Sequence, residues 1–185
     1  MILKNGKRLD GMGDSMPIGS IIEYNGTDIP DGWEQVVEQI NSSTSVFSID
    51  GKTYTTGSWS ATDITKDLVS LFSDNGGFYL KDGKIYVSED AQFTCIELSL
   101  YMKWLISWTA DTGNRGIYVY HNGTRISTDY NSCPDSTSAW YSDTYTNILL
   151  VQPGDYFTIS IVRGGQSDTI NTQIERGHLK IRSLG

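Results

Sequence analysis

The chain of 185 residues has only two cysteines, two histidines and four prolines, and basic residues are scarce, with 14 Lys and Arg against 22 Asp and Glu and a net charge of -8. It also lacks an uninterrupted apolar run long enough to span a bilayer, so no membrane insertion is expected. The acidic balance suits a surface kept apart by like charge, and no basic stripe of the kind that phosphate binding requires is visible, so no nucleic-acid partner is expected. The first residues, MILKNGKRLDGMGDSM, are basic but are not followed by an apolar segment, so no secretory signal is read there. Without one, the sequons at Asn25, Asn41 and Asn122 are chance matches. Cys95 and Cys133 have neither CxxC nor metal-ligand spacing. The reading adopted is two unpaired thiols of a protein made in a reducing cytoplasm, the alternative being a disulfide formed in an oxidising setting. His121 and His178 stand alone, with no HExxH, and no GxSxG, P-loop or helix-opening GxGxxG is present. No catalytic residue, metal site or cofactor is therefore assigned, and the expectation is a non-enzyme.

What is abundant points to strands. Aromatics make up 11% of the chain, with eleven Tyr and five Trp, and nineteen Gly punctuate it. That composition favours an all-β fold. The stretch ILLVQPGDYFTISIVRG, 148–164, reads as two strands hinged at Pro153-Gly154. Before the hinge Ile148, Leu149, Leu150 and Val151 leave no polar face and are expected to be covered on both sides. After it Phe157, Ile159 and Ile161 share one face with a period of two.

The same periodicity runs through 94–109, where Ile96, Leu98, Leu100, Met102, Trp104, Ile106 and Trp108 alternate with mostly polar residues. Hairpin turns are expected at Asp50-Gly51, Asp82-Gly83 and Asn122-Gly123. One short helix is expected over Thr62 to Phe72, because Ile64, Leu68, Leu71 and Phe72 fall at i, i+4, i+7 and i+8, with Thr62 or Asp63 as cap. Met1 to Ser15 reads as a leader without structure of its own. Asp129 to Asn147 has no periodicity and reads as a long loop, and GHLKIRSLG closes the chain as a final strand. The strand count and short turns suit a two-sheet jelly roll.

Two resemblances add to this. Pro17-x-Gly19-x-Ile21, Gly26 and Pro30-x-Gly32-Trp33 resemble the PxG…PxGW element of bacteriophage tail-fibre, collar and baseplate proteins, which implies a structural module with Trp33 as a packing residue rather than a sugar platform. His121-Asn122-Gly123, then Leu150-x-x-Pro153-Gly154-Asp155-Tyr156-x-Thr158-Ile159, then Gly177-His178-Leu179-x-Ile181 are similar to the later strands of C1q/TNF-like domains, which implies a jelly roll assembling as a trimer. No collagen-like stalk precedes the domain, which sets it apart from animal secreted ligands. The organisation expected is a small β-rich attachment segment, 1–60, followed by a jelly-roll head, 61–185.

The functional expectation is a virion protein assembled in a bacterial cytoplasm: a homotrimeric fibre or receptor-binding head, joined to other virion proteins through its N-terminal segment. Its partner is expected to be a host cell-surface polysaccharide. Tyr130, Trp140, Tyr141 and Tyr145 lie among Asp135 and Asp143, and flat aromatic faces beside hydrogen-bonding groups are what sugar rings stack on. The alternatives are a purely structural decoration or connector protein and a small carbohydrate-active enzyme, since paired carboxylates are all that a glycosidase needs.

Overall fold

In the computed structural model the described residues are 2–5, 21–23, 33–35, 42–57, 59–106, 113–127, 130–133, 139–164 and 170–184. The chain divides into two compact units, Met1–Gln39 and Ile40–Gly185. In the first, β1 (Ile2–Asn5) is the middle strand of a three-stranded antiparallel sheet, flanked by β2 (Ile21–Glu23) and β3 (Trp33–Gln35). Leu3 lies opposite both Ile22 and Gln35, and Asn5 opposite Trp33. Residues 2–5 are thus a central strand where a flexible or partner-ordered leader was expected, and residues 6–15 of that stretch lie outside the described residues. The strand's partners supply the hydrogen bonds that four residues cannot supply for themselves. Of the PxG…PxGW element, Ile21 and Trp33 fall on strands and the other motif residues lie outside the described residues.

The second unit is an all-β, two-sheet jelly roll. Its strands are β4 (Thr44–Thr56), β5 (Thr62–Asp63), β6 (Val69–Asp74), β7 (Phe78–Lys81), β8 (Lys84–Val87), β9 (Cys95–Ile106), β10 (Gly113–His121), β11 (Thr124–Arg125), β12 (Tyr130–Cys133), β13 (Ala139–Leu150), β14 (Tyr156–Gly164) and β15 (Ile170–Ser183). One sheet runs β13-β9-β15-β4-β6. The other runs β11-β10-β14-β8-β7, with β12 also paired to β10 and β5 to β14. Between the sheets lies one core: Phe47, Ile96, Leu98, Leu100, Met102, Trp104, Leu179 and Ile181 from the first, Phe78, Ile85, Ile117, Val119, Phe157, Ile159 and Ile161 from the second. The alternation expected in β9 is observed from Ile96 to Trp104, Trp108 lying outside the described residues, and in β14 Phe157, Ile159 and Ile161 face the core as expected while Ser160 and Val162 on the other face are buried as well. The turns at Asp82-Gly83 and Asn122-Gly123 join β7 to β8 and β10 to β11.

Four local expectations are corrected by tertiary structure. Residues 62–72 form no helix: β5 leads into a 3-10 turn, Thr65–Asp67, and then into β6. Asp63 Oδ1 accepts from the Thr65 N–H at 2.8 Å, and Thr65 Oγ1 bonds the backbone of Ile159 in both directions. Leu68 then leaves the turn in an extended conformation and Val69–Asp74 pairs with β4, which takes the backbone groups a helix would need, and the i, i+4 pair Ile64 and Leu68 is buried as the two flanks of a turn. Asp50-Gly51 is no hairpin either. β4 runs straight through it, paired to β15, with Gly51 at φ +63. Across β15 the β9 register shifts between Ile174 and Arg176. The buried positions accordingly change parity, from Thr172 and Ile174 to Gly177, Leu179 and Ile181. A one-residue bulge is what lets both parts of the strand face the core.

The stretch expected as a loop, 129–147, contains β12 and most of β13, because a satisfied buried Asp breaks the apolar pattern without breaking the strand. Lastly, Ile148 and Leu150 are not covered: they are 62% and 78% exposed on β13, an edge strand, while Leu149 and Val151 turn toward the core.

Candidate functional site

The two ends of the jelly roll differ. The chain enters the second unit and finishes at one end, where the Ser43 N–H donates to Ser183 Oγ and the Leu184 N–H to the Cys95 carbonyl. Cys95, a free thiol, lies opposite Leu150 there. β9 and β13 run from that end to the opposite one, where Trp104 pairs with Tyr141 and Leu105 with Trp140.

At the far end β13 sorts the candidate residues by parity. Trp140 points outward and is 45% exposed, with Lys103 Nζ 5.4 Å from its ring centroid. Tyr141, Asp143 and Tyr145 point inward. The Arg115 guanidinium lies 4.0 Å over the Tyr141 ring. Arg115 reaches Asp143 with two bonds, Nε to Oδ2 at 2.7 Å and Nη2 to Oδ1 at 3.1 Å, and Trp104 Nε1 donates to Oδ2 at 2.6 Å. Both carboxylate oxygens of this buried group are therefore engaged, and the tie joins β10 of one sheet to β13 and β9 of the other. Tyr145 is buried, and its phenol oxygen accepts from Asn147 at 2.9 Å. Tyr130 contributes its backbone to β12, opposite Gly116. The Tyr130 side chain and Asp135 lie outside the described residues.

Sequence reasoning missed Arg115 and Arg163. Arg163 sits opposite Arg115 on β14, 1% exposed, and donates from Nη2 to the Thr56 carbonyl at 3.1 Å. Burial pulls its pKa below the ordinary arginine value. A signal was available: Arg115 is in phase with Ile117 and Val119, and Arg163 with Phe157, Ile159 and Ile161.

At the end where the chain enters, the His121-Asn122 and Pro153-Gly154-Asp155 motifs meet. Asp155 accepts from His121 Nε2 at 2.8 Å, Asn122 Nδ2 at 2.6 Å and the Gln152 N–H at 2.9 Å. The Asn122 side-chain oxygen Oδ1 accepts from the Tyr156 N–H in return. The Asp155 N–H closes onto the Gln152 carbonyl, a tight turn with Gly154 at φ +83. The His121 ring stacks on Phe157 at 4.9 Å. These residues line one wall of an open groove of about 530 Å³, with Thr94, Leu150, Val151 and Gln152 completing it. Among the described residues no cluster of three or more His, Cys, Asp or Glu could hold a metal ion, and no helix is long and apolar enough to cross a membrane.

No family model and no curated protein sequence matches the chain. Solved structures do. The Eiger TNF of S. frugiperda superposes with a TM-score of 0.51 at 9% identity, covering 77% of this chain and 92% of that one. The fold is TNF-like. Murine APRIL at pH 5.0 gives a TM-score of 0.46 at 17% identity over 76% of this chain and 99% of its own. The vertex protein P5 of PRD1 gives 0.44 at 8% identity over 77% and 97%. At such identities a likeness establishes the fold and nothing about ligand or partner.

Proposed function

We propose that the protein is a non-enzymatic virion component, a homotrimeric fibre or receptor-binding head. Residues 1–39 attach it to other virion proteins, and the jelly roll, which takes in residues 40–185, presents its far end to a host-surface polysaccharide. One observation carries this reading: β13 bears two different exposed surfaces. Near the end where the chain enters, Ile148 and Leu150 stand open on a twelve-residue edge strand that has no Lys, no Pro and an unbroken register with β9. Such an edge invites pairing unless it is covered, and a second copy is the simplest cover. About 27 Å further along, at 3.4 Å per residue, Trp140 is exposed at the end remote from the chain's entry. Three copies joined through the first surface would hold three of the second together, so that weak sugar contacts add by avidity.

The connector reading has its own support, since Tyr141, Asp143 and Tyr145 serve the interior. Binding to an array of bacterial glycans separates the two. Loss of binding on Trp140→Ala, with an unchanged melting temperature, supports the receptor-binding head. An array that stays blank with the parent protein favours the connector, and release of reducing ends from a bound glycan would favour the enzyme.

A further inference from the structure

Trp59 combines an exposed ring with a strained backbone. The stretch GSWSA, 57–61, carries the chain from β4 of the first sheet to β5, which pairs with β14 of the second. The Ser60 N–H closes onto the Gly57 carbonyl at 3.3 Å, so residues 57–60 form a tight turn with Trp59 at its third position, at φ +58. Glycine and asparagine take that conformation readily, whereas a bulky side chain is strained there. The Trp59 N–H donates to the Arg163 carbonyl at 2.6 Å, which fixes the turn against the end of β14.

The ring itself lies on Gly164. A Cβ at that glycine would meet Cε2, Cζ2 and Cη2 of the indole, three consecutive atoms of its six-membered ring, at nearly equal distances. A ring lying flat over the backbone gives that equality, whereas an edge would bring one atom much closer than its neighbours. Gly164 is thus the bed of the indole, and with Trp59 56% exposed the opposite face looks to solvent. Asn114 lies opposite Gly164 on β10, half-buried and on the same outward face as Tyr118 and Tyr120, and Ser60 follows Trp59 in the turn, exposed. A flat apolar face, held from below and bordered by an amide and a hydroxyl, is what a sugar ring needs for stacking and orientation. A residue that only covered the sheet would be more deeply buried and would have no use for a strained backbone.

We propose that Trp59 is a stacking platform for a pyranose ring of the host-surface glycan, with Asn114 and Ser60 as its hydrogen-bonding neighbours. Gly164 closes β14 at the end remote from the chain's entry, the end that also carries Trp140. β14 is the middle strand of its sheet, while β13, through which the copies are proposed to join, is an edge of the other sheet. Assembly through β13 therefore leaves the outer face of β14 open. The inference rests on the polysaccharide reading above and adds to it a site on the second sheet, away from the subunit contact.

The test titrates the full chain with chitohexaose, with cellohexaose and with the glycans of the array. Trp59→Gly removes the indole and relaxes the turn. It should bind about tenfold more weakly or worse, with a melting temperature no lower than the parent's and an unchanged assembly mass. Trp59→Asn, which also suits a positive φ, should behave in the same way. Gly164→Ala drives a methyl group into the ring and should weaken binding although the indole is still present. The platform is overturned if Trp59→Gly binds like the parent. It is overturned equally if Trp59→Gly and Trp59→Asn both melt below the parent, which would make the indole a packing residue. Binding lost on Trp140→Ala but kept on Trp59→Gly overturns the platform and leaves the receptor-binding reading standing; a blank array together with no binding of either oligosaccharide removes both.

Discussion

Arg115 and Asp143 face each other across the two sheets of the jelly roll and form a two-pronged ion pair, 2.7 and 3.1 Å long, in a place where the side chains are only 9% and 6% exposed. A pair so far from water gains little over an apolar pair of the same shape, but a partner left alone is costly.

Asp143→Asn or Arg115→Met is accordingly expected to cost about 3–5 kcal/mol. Urea unfolding followed by tryptophan fluorescence measures this. The double variant Arg115→Met/Asp143→Asn, which keeps an oxygen for Trp104 Nε1, should lose less than the sum of the two single losses. Additive losses would show that the two side chains do not act as a unit.

The exposed apolar pair on β13 makes a separate prediction. Changing Ile148 and Leu150 to Lys should raise the dissociation constant of the assembly by about a hundredfold or more, because each apolar side chain covered at a contact contributes about 1.5–3 kcal/mol. Sedimentation at several concentrations reads the change. Circular dichroism should not alter, since neither side chain reaches the core.

Acid stability follows from Asp155. Partial burial alone would raise its pKa, yet the bonds from Asn122, the Gln152 N–H and His121 outweigh burial and hold it below its ordinary value of 3.8. A carboxyl whose pKa falls on folding adds stability that is complete above the unfolded value and is lost as pH drops through the folded one. The melting temperature should therefore fall below about pH 4. Asp155→Asn should melt lower at neutral pH and lose part of that acid dependence. Parallel acid limbs for the two proteins would contradict this.

Gly154 sits at φ +83, and a Cβ there would come within 2.9 Å of Glu89 Oε1. Gly154→Ala should cost about 1–2 kcal/mol, chiefly from the backbone, since the Glu89 carboxylate can swing aside. Thermal melting of Gly154→Ala against Glu89→Ala/Gly154→Ala tells strain from contact: equal losses assign the cost to the backbone.

The pattern of two was legible in β9 and at the start of β14 because apolar residues alternate with polar ones there; from Ile159 onward both faces of β14 are buried. The Pro153-Gly154 hinge was legible because Pro and Gly at the two turn centres leave few other geometries. β13 was opaque for a physical reason: its inward positions are Tyr141, Asp143 and Tyr145, and an Asp neutralised by an Arg 28 residues earlier looks like solvent chemistry until the partner is placed. The helix read over 62–72 failed because its spacing fits a 3-10 turn between two strands equally well, and the pairing of Val69–Asp74 with β4 decides between them. Trp140, read with its neighbours as part of a loop, stands exposed on β13, while the strand parity turns Tyr141, Asp143 and Tyr145 to the interior.

In the proposed homotrimer, further copies of the TNF-like jelly roll cover its open edge strand. Light scattering coupled to gel filtration of the full chain measures this directly. The account predicts a mass three times that of the 20.6 kDa chain, falling toward one chain mass on introduction of Lys at 148 and 150. A parent protein that elutes at the mass of a single chain at all concentrations would contradict it.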